Sequence, residues 1–107
     1  MAYKYIFRVD VRHGEDAEFI RHWHGGSIPI QKSRGAMGTR LRKVRGEEHV
    51  YIAIAEWESK DARSAAFIAL EDHGNPLHEE YKKWKENEEF GEVTLIAEVD
   101  EVNSVVL

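Results

Sequence analysis

The sequence predicts an α+β fold of the ferredoxin-like kind, strand, helix, strand, strand, helix, strand (βαββαβ), with a four-stranded antiparallel sheet. Three observations carry that expectation. Residues 3–11 and 90–99 alternate apolar and polar side chains at the period of a strand. Residues 49–56, HVYIAIAE, are rich in β-branched and aromatic types with no Gly or Pro inside, which suits a covered, pleated surface. Between these runs lie two regions whose apolar residues recur at three- and four-residue spacing behind acidic or capping residues.

In the first strand Tyr3, Tyr5, Phe7, Val9 and Val11 project to one face, and Lys4, Ile6, Arg8 and Asp10 to the other. Arg12-His13-Gly14 ends it. A helix then starts near Gly14, with Glu15, Asp16 and Glu18 at the positive end of its dipole and Phe19, Ile20 and Trp23 as its buried stripe. Gly25-Gly26, followed by Ser27 and Pro29 as a fresh cap and first turn, predicts a break or kink, with a second helical piece over 28–34. Gly35 and Gly38 release the chain into a strand over 39–44, whose Arg40, Arg42 and Lys43 mark an edge. The turn Arg45-Gly46-Glu47-Glu48 joins it as a hairpin to the run at 49–56, expected to be central. There Tyr51, Ala53, Ala55 and Trp57 share one face and Val50, Ile52 and Ile54 the other. Two alanines between two aromatics leave volume that a helix or a ligand must fill.

Ser59 caps the next helix, which carries an alanine-rich inner face and ends at Asp72-His73-Gly74; Asn75-Pro76 then signals a second start. Leu77, Tyr81 and Trp84 read as a packing stripe there. The last strand sets Val93, Leu95, Ala97 and Val99 against Thr94, Ile96 and Glu98, and the tail over 102–107 is apolar enough to dock on something. Two helical regions cover one sheet face only. Ile6, Val50, Ile52, Ile54 and Ile96 are expected on the other, where each exposed aliphatic forfeits roughly 1.5–3 kcal/mol. A homodimer through that face is the simplest cover, with the tail reaching across and Arg8 and Asp10 fixing the register.

At 107 residues, one domain over 1–107 is expected. A net charge of −5 with scattered Lys and Arg argues against nucleic acid or an anionic membrane as partner. Without cysteine, disulfides and thiolate chemistry are excluded. The N-terminus alternates like a strand and resembles neither a signal peptide nor a membrane span, so the cytoplasm is the expected compartment.

The run Val9-x-x-x-x-Gly14, the acidic helix start to Phe19 and Trp23, Gly38-x-x-Leu41, Tyr51-x-x-x-x-Glu56-Trp57-Glu58-Ser59 and Asn75-Pro76-Leu77-His78 together resemble the antibiotic biosynthesis monooxygenase family of dimeric α+β barrels. The resemblance covers nearly the whole chain, and Trp57-Glu58-Ser59 is its most specific element. It implies the dimeric barrel, with a small-molecule cavity between helices and sheet in each subunit. Some members oxidise phenolic polyketides with molecular oxygen and no cofactor, others degrade haem, and many have no known activity. Haem-degrading members are expected to carry Asn on the first strand, Trp in the second helix and His near that helix's end. The matching positions here are Phe7, Ala66 and His78, so only the last agrees. Where relatives often show Pro-Gly-Phe, this chain has Arg34-Gly35-Ala36.

Two residues stand out for chemistry. Trp57 ends a strand beside the alanine-made space, either capping the core or orienting a ligand with its flat face and indole N–H. His78 sits in the first turn of a predicted helix, placed either as a base or as a surface imidazole. Tyr51, Phe7, Trp23, His22, His24, Phe67 and His73 complete the expected pocket wall. His22 and His24 lie two apart, about 200° around a helix, and cannot clamp one ion on an unbroken one, so no metal site is expected. The leading functional expectation is a cofactor-independent monooxygenase acting on a small aromatic or phenolic substrate. A non-catalytic ligand-binding or stress-associated barrel is the alternative, and haem binding or degradation the third.

Overall fold

The computed structural model of the chain describes residues 2–86 and 90–106. Its elements are β1 (Tyr3–Val11), α1 (Asp16–Gln31), β2 (Ala36–Lys43), β3 (Val50–Trp57), α2 (Lys60–Leu70), α3 (His78–Glu86) and β4 (Gly91–Asp100). All strand pairs are antiparallel and the sheet order is β2-β3-β1-β4, the ferredoxin-like arrangement. β3 is interior and β2 is an edge, in agreement with the apolar run of the one and the basic residues of the other.

The helices cover the face that carries Tyr3, Val9, Val11, Tyr51, Ala53 and Trp57, all of them buried. Register explains why these residues meet. Opposed residues of an antiparallel pair point to the same side, and Tyr3 opposes Trp57, Phe7 opposes Ala53 and Val9 opposes Tyr51. α2 opens as its sequence requires, with Ser59 Oγ accepting a hydrogen bond from the Ala62 amide at 3.0 Å. Ala66 and Leu70 form its buried side.

Two expectations are corrected. First, α1 is one helix across Gly25, Gly26 and Pro29, with no break. Ser27 caps nothing; its hydroxyl donates to the Trp23 carbonyl inside the same helix at 2.7 Å. Gly26 is needed for close approach, because a Cβ there would lie 2.0 Å from Nε1 of Trp84 on α3. Second, β4 does not keep one alternation. The register shifts at Ile6/Phe7, so Ile6 opposes Ala97 while Phe7 opposes Leu95, and Ile96 is an extra residue on β4. Val93 and Leu95 therefore face the helices, whereas Ala97 and Val99 face away with Ile6 and Lys4. Glu98 turns to the helix side, where the Tyr3 hydroxyl donates to it at 2.5 Å and Lys60 lies 3.3 Å away. Of the apolar tail, expected to reach across to a partner subunit, Val102, Val105 and Val106 are 80–91% exposed in the single chain. Leu107 lies outside the described residues.

The far face carries Ile6, Ile52 and Ile54, each half-buried, beside the exposed Val99; Val50, expected there, opposes Asp10 and is itself buried. Ion pairs Lys4–Glu56, at 3.6 Å, and Arg8–Asp10, at 2.8 Å, border it. No helix among the described residues is long and apolar enough to cross a membrane.

Candidate functional site

Between the helices and the sheet lies a cavity of about 750 Å³, within the range of small-molecule sites. Its floor is the helix-facing side of β1 and β3, where Ala55 supplies no bulk between the flanking rings, and Phe90, Glu92 and Val93 line it at the start of β4. The space expected beside the two alanines is thus partly filled: Ala53 is fully covered, and Ala55 lines the cavity. Gly91, which also lines the cavity, lets β4 approach β1 closely, since a Cβ there would lie 1.8 Å from the Asp10 carbonyl oxygen.

One wall is a run of aromatic side chains. Trp57 packs on Phe67 (5.9 Å between ring centres), Phe67 on Tyr81 (6.2 Å), Tyr81 on Trp84 (6.0 Å) and Trp84 on His22 (5.4 Å, nearly parallel). His22 also meets Phe90 at 5.1 Å. Burial among these rings lowers the His22 pKa below its ordinary 6.5, so at neutral pH the ring is uncharged and able to accept a proton. Arg63 lies over the Tyr5 ring at 3.9 Å and the Phe67 ring at 4.7 Å, facing the same space. Trp57 is fully buried, and neither its Nε1 nor that of Trp84 has an acceptor among the described residues.

Of the residues singled out from sequence, Trp57, Phe7, Trp23, His22 and Phe67 line this cavity. His78, Tyr51, His24 and His73 do not. His78 is buried against the end of α2, its Nδ1–H donating to the Leu70 carbonyl at 2.8 Å, while His73 packs against it at 4.6 Å. The cause is the turn Asn75-Pro76-Leu77, in which the Asn75 side chain accepts from the Leu77 amide. α3 therefore begins only at His78, with that ring turned back toward α2. His24 lies on the other side of α1, beside Arg40 and Leu41 in a shallow second hollow that also includes Tyr51. Tyr81, Trp84, Arg63 and Tyr5 also line the cavity. In the sequence Tyr81 and Trp84 read as packing, because their spacing alone does not separate a packed stripe from a cavity wall.

Tyr51 has a structural task. Its hydroxyl donates to Asp16 at 2.7 Å, and His49, held in a left-handed backbone conformation (φ 64°), reaches the other carboxylate oxygen at 2.6 Å. These bonds pin the start of α1 to β3. Burial first and the Asp16 bond second push the Tyr51 pKa up to about 12, and the Tyr51 and His49 bonds hold the Asp16 carboxyl below its ordinary 3.8. A depressed carboxyl stabilises the fold fully above its unfolded value, and that contribution disappears as pH falls through the lower folded value. Asp16→Asn is accordingly expected to lower Tm at pH 7, with the gap from the parent closing below pH 3.8; thermal melts across pH measure it, and a gap that does not change with pH contradicts the assignment.

No group of three or more His, Cys, Asp or Glu among the described residues is arranged to hold a metal ion. No family model and no curated protein matches the sequence. Solved structures do match. SnoaB from Streptomyces nogalater, a cofactor-independent oxygenase crystallised in a mutant form, aligns at TM-score 0.71 and 19% identity over 97% of this chain and 96% of that one. The fold is that of the antibiotic biosynthesis monooxygenases. A protein from Chloroflexus aurantiacus assigned to that group aligns at TM-score 0.65 and 12% identity, over 98% and 97% of the two chains. The haem-degrading protein Rv3592 of Mycobacterium tuberculosis aligns at TM-score 0.60 and 20% identity, over 98% and 99%.

Proposed function

We propose that the protein binds a planar, electron-rich aromatic molecule in the cavity between helices and sheet and oxygenates it with molecular oxygen, without a cofactor. The observation that carries the reading is His22 packed among rings on the wall of a cavity lined largely by aromatic side chains, where burial favours its neutral form. The fold shared with SnoaB agrees with it, although fold alone assigns no reaction.

The chemistry follows from the substrate class. His22 takes a proton from a phenol or from an acidic ring methylene, and the resulting anion is rich enough in electrons to reduce oxygen itself. Carbon–oxygen bond formation gives a hydroperoxide that loses water. In balance, one CH₂ and one O₂ become one C=O and one H₂O, the carbon supplying all four electrons. Trp57 and Phe67 hold the ring plane, and the apolar walls exclude water from the anion. Oxygen uptake with anthrone and dihydroxynaphthalenes tests the proposal directly. Saturable binding across that panel with no oxygen consumed would instead identify a ligand-binding barrel.

The second part of the proposal is a homodimer through the far face, because Ile6, Ile52 and Ile54 form an aliphatic strip bordered by ion pairs and the helices leave it uncovered. Ile54→Glu places a charge in that strip and is expected to convert dimer to monomer, since burying an unpaired carboxylate is strongly unfavourable. Sedimentation velocity at micromolar concentration reads the outcome. A parent chain that sediments as a monomer would sink the idea.

A further inference from the structure

We infer that Arg63 is a specificity-determining residue: it anchors an anionic group, a carboxylate in kind, on a ligand whose ionisable phenol or methylene lies at the opposite end, beside His22. The inference rests on the cavity being the ligand site and adds to it the charge and shape of the ligand.

The cavity holds two cations, and they differ. Lys85 is neutralised by Glu71 at 2.5 Å. The Arg63 side chain makes no hydrogen bond or ion pair among the described residues; it lies over two aromatic faces. Glu98, an acid whose charge Arg63 senses, is already held by the Tyr3 hydroxyl and by Lys60. Contact with ring faces favours the cation but leaves the N–H donors in the guanidinium plane unused. Those donors are set in the fork geometry that receives a carboxylate on two oxygens. A partly sheltered guanidinium whose side-chain donors meet no acceptor among the described residues, set in an apolar cavity, suits an anionic ligand group.

Position supplies the shape. Arg63 touches Phe67, and from Phe67 the ring contacts run through Tyr81 and Trp84 to His22. The cation, at Phe67, and the uncharged imidazole thus stand at separate points along one aromatic wall. Three ring-to-ring contacts, at 6.2, 6.0 and 5.4 Å, lie between Phe67 and His22, and a ligand of two or more fused rings, acid at one end and phenol at the other, suits such a wall.

The test uses 6-hydroxy-2-naphthoate, which carries its hydroxyl and carboxylate at opposite ends, against its methyl ester, by titration calorimetry. The parent protein is expected to bind the acid about 10- to 100-fold more tightly than the ester, the value of a charge-assisted hydrogen-bonded contact. Arg63→Met should remove that preference, bringing acid and ester to within about twofold of each other, and Arg63→Lys should restore part of it but not the fork geometry. The 3-hydroxy-2-naphthoate isomer, with both groups at one end, should lose most of the advantage. Equal binding of acid and ester by the parent protein overturns the inference while leaving the cavity as a ligand site. Failure of both to bind overturns the inference together with the reading it rests on.

Discussion

Replacing His22 with glutamine is expected to lower kcat/KM for oxygen consumption by about 10²–10⁴-fold, the usual contribution of a positioned general base. Glutamine keeps a polar side chain of similar reach but accepts no proton at neutral pH. The pH profile carries the sharper test. His22 is packed against Trp84 and Phe90, and burial holds its pKa below 6.5, so the acid limb of kcat/KM should lie below 6.5 as well. Stability should respond in the same window. A histidine whose folded pKa is depressed binds fewer protons when folded than when unfolded, so the fold loses stability as pH drops below the unfolded value. His22→Gln removes that loss, and its Tm should fall less than the parent's between pH 7 and pH 5. An acid limb unchanged in the variant would move the base to another residue.

The sequence revealed most where neighbouring residues alone determine the outcome. The alternation of β1 and β3 reports which side chains face the helices, and Tyr3, Val9, Tyr51 and Trp57 are buried accordingly. It failed where a distant partner decides. Nothing in residues 90–99 marks the bulge at Ile96, because the shift is a property of pairing with β1, yet it exchanges the faces of Glu98 and Val99. The Asn75-Pro76 turn is legible, but the direction of the His78 ring depends on the Leu70 carbonyl, eight residues away on another helix. Arg63 was invisible for a related reason: a basic residue in the second turn of a capped helix reads as solvated, and only the approach of Tyr5 on β1 and the neighbouring Phe67 shows otherwise.

The paired glycines of α1 offer the largest expected effect on stability, and the two should respond with opposite signs. Read locally, Gly25-Gly26-Ser27-x-Pro29 is a helix break, and at a break neither glycine has reason to differ from the other. In the continuous helix they differ in what surrounds them. A Cβ on Gly25 meets nothing within 4 Å. Gly25→Ala should therefore stabilise by about 0.5–1 kcal/mol through helix propensity and the reduced freedom of the unfolded chain. A Cβ on Gly26 falls 2.0 Å from Nε1 and 2.1 Å from Cε2 of Trp84, inside the indole itself. Gly26→Ala should cost about 1–3 kcal/mol as overpacking, and Tm should shift by about 4–8 °C for each kcal/mol in a chain of this size. The indole can escape only by moving away from α1, toward the cavity it lines, so ligand affinity should fall along with stability. Trp84→Leu in the same chain removes the obstruction, and the two substitutions together should cost less than the sum of their separate effects, as contacting residues do. Thermal melts of the four variants decide the matter: equal responses of Gly25→Ala and Gly26→Ala would mean that α1 does not run unbroken beneath α3.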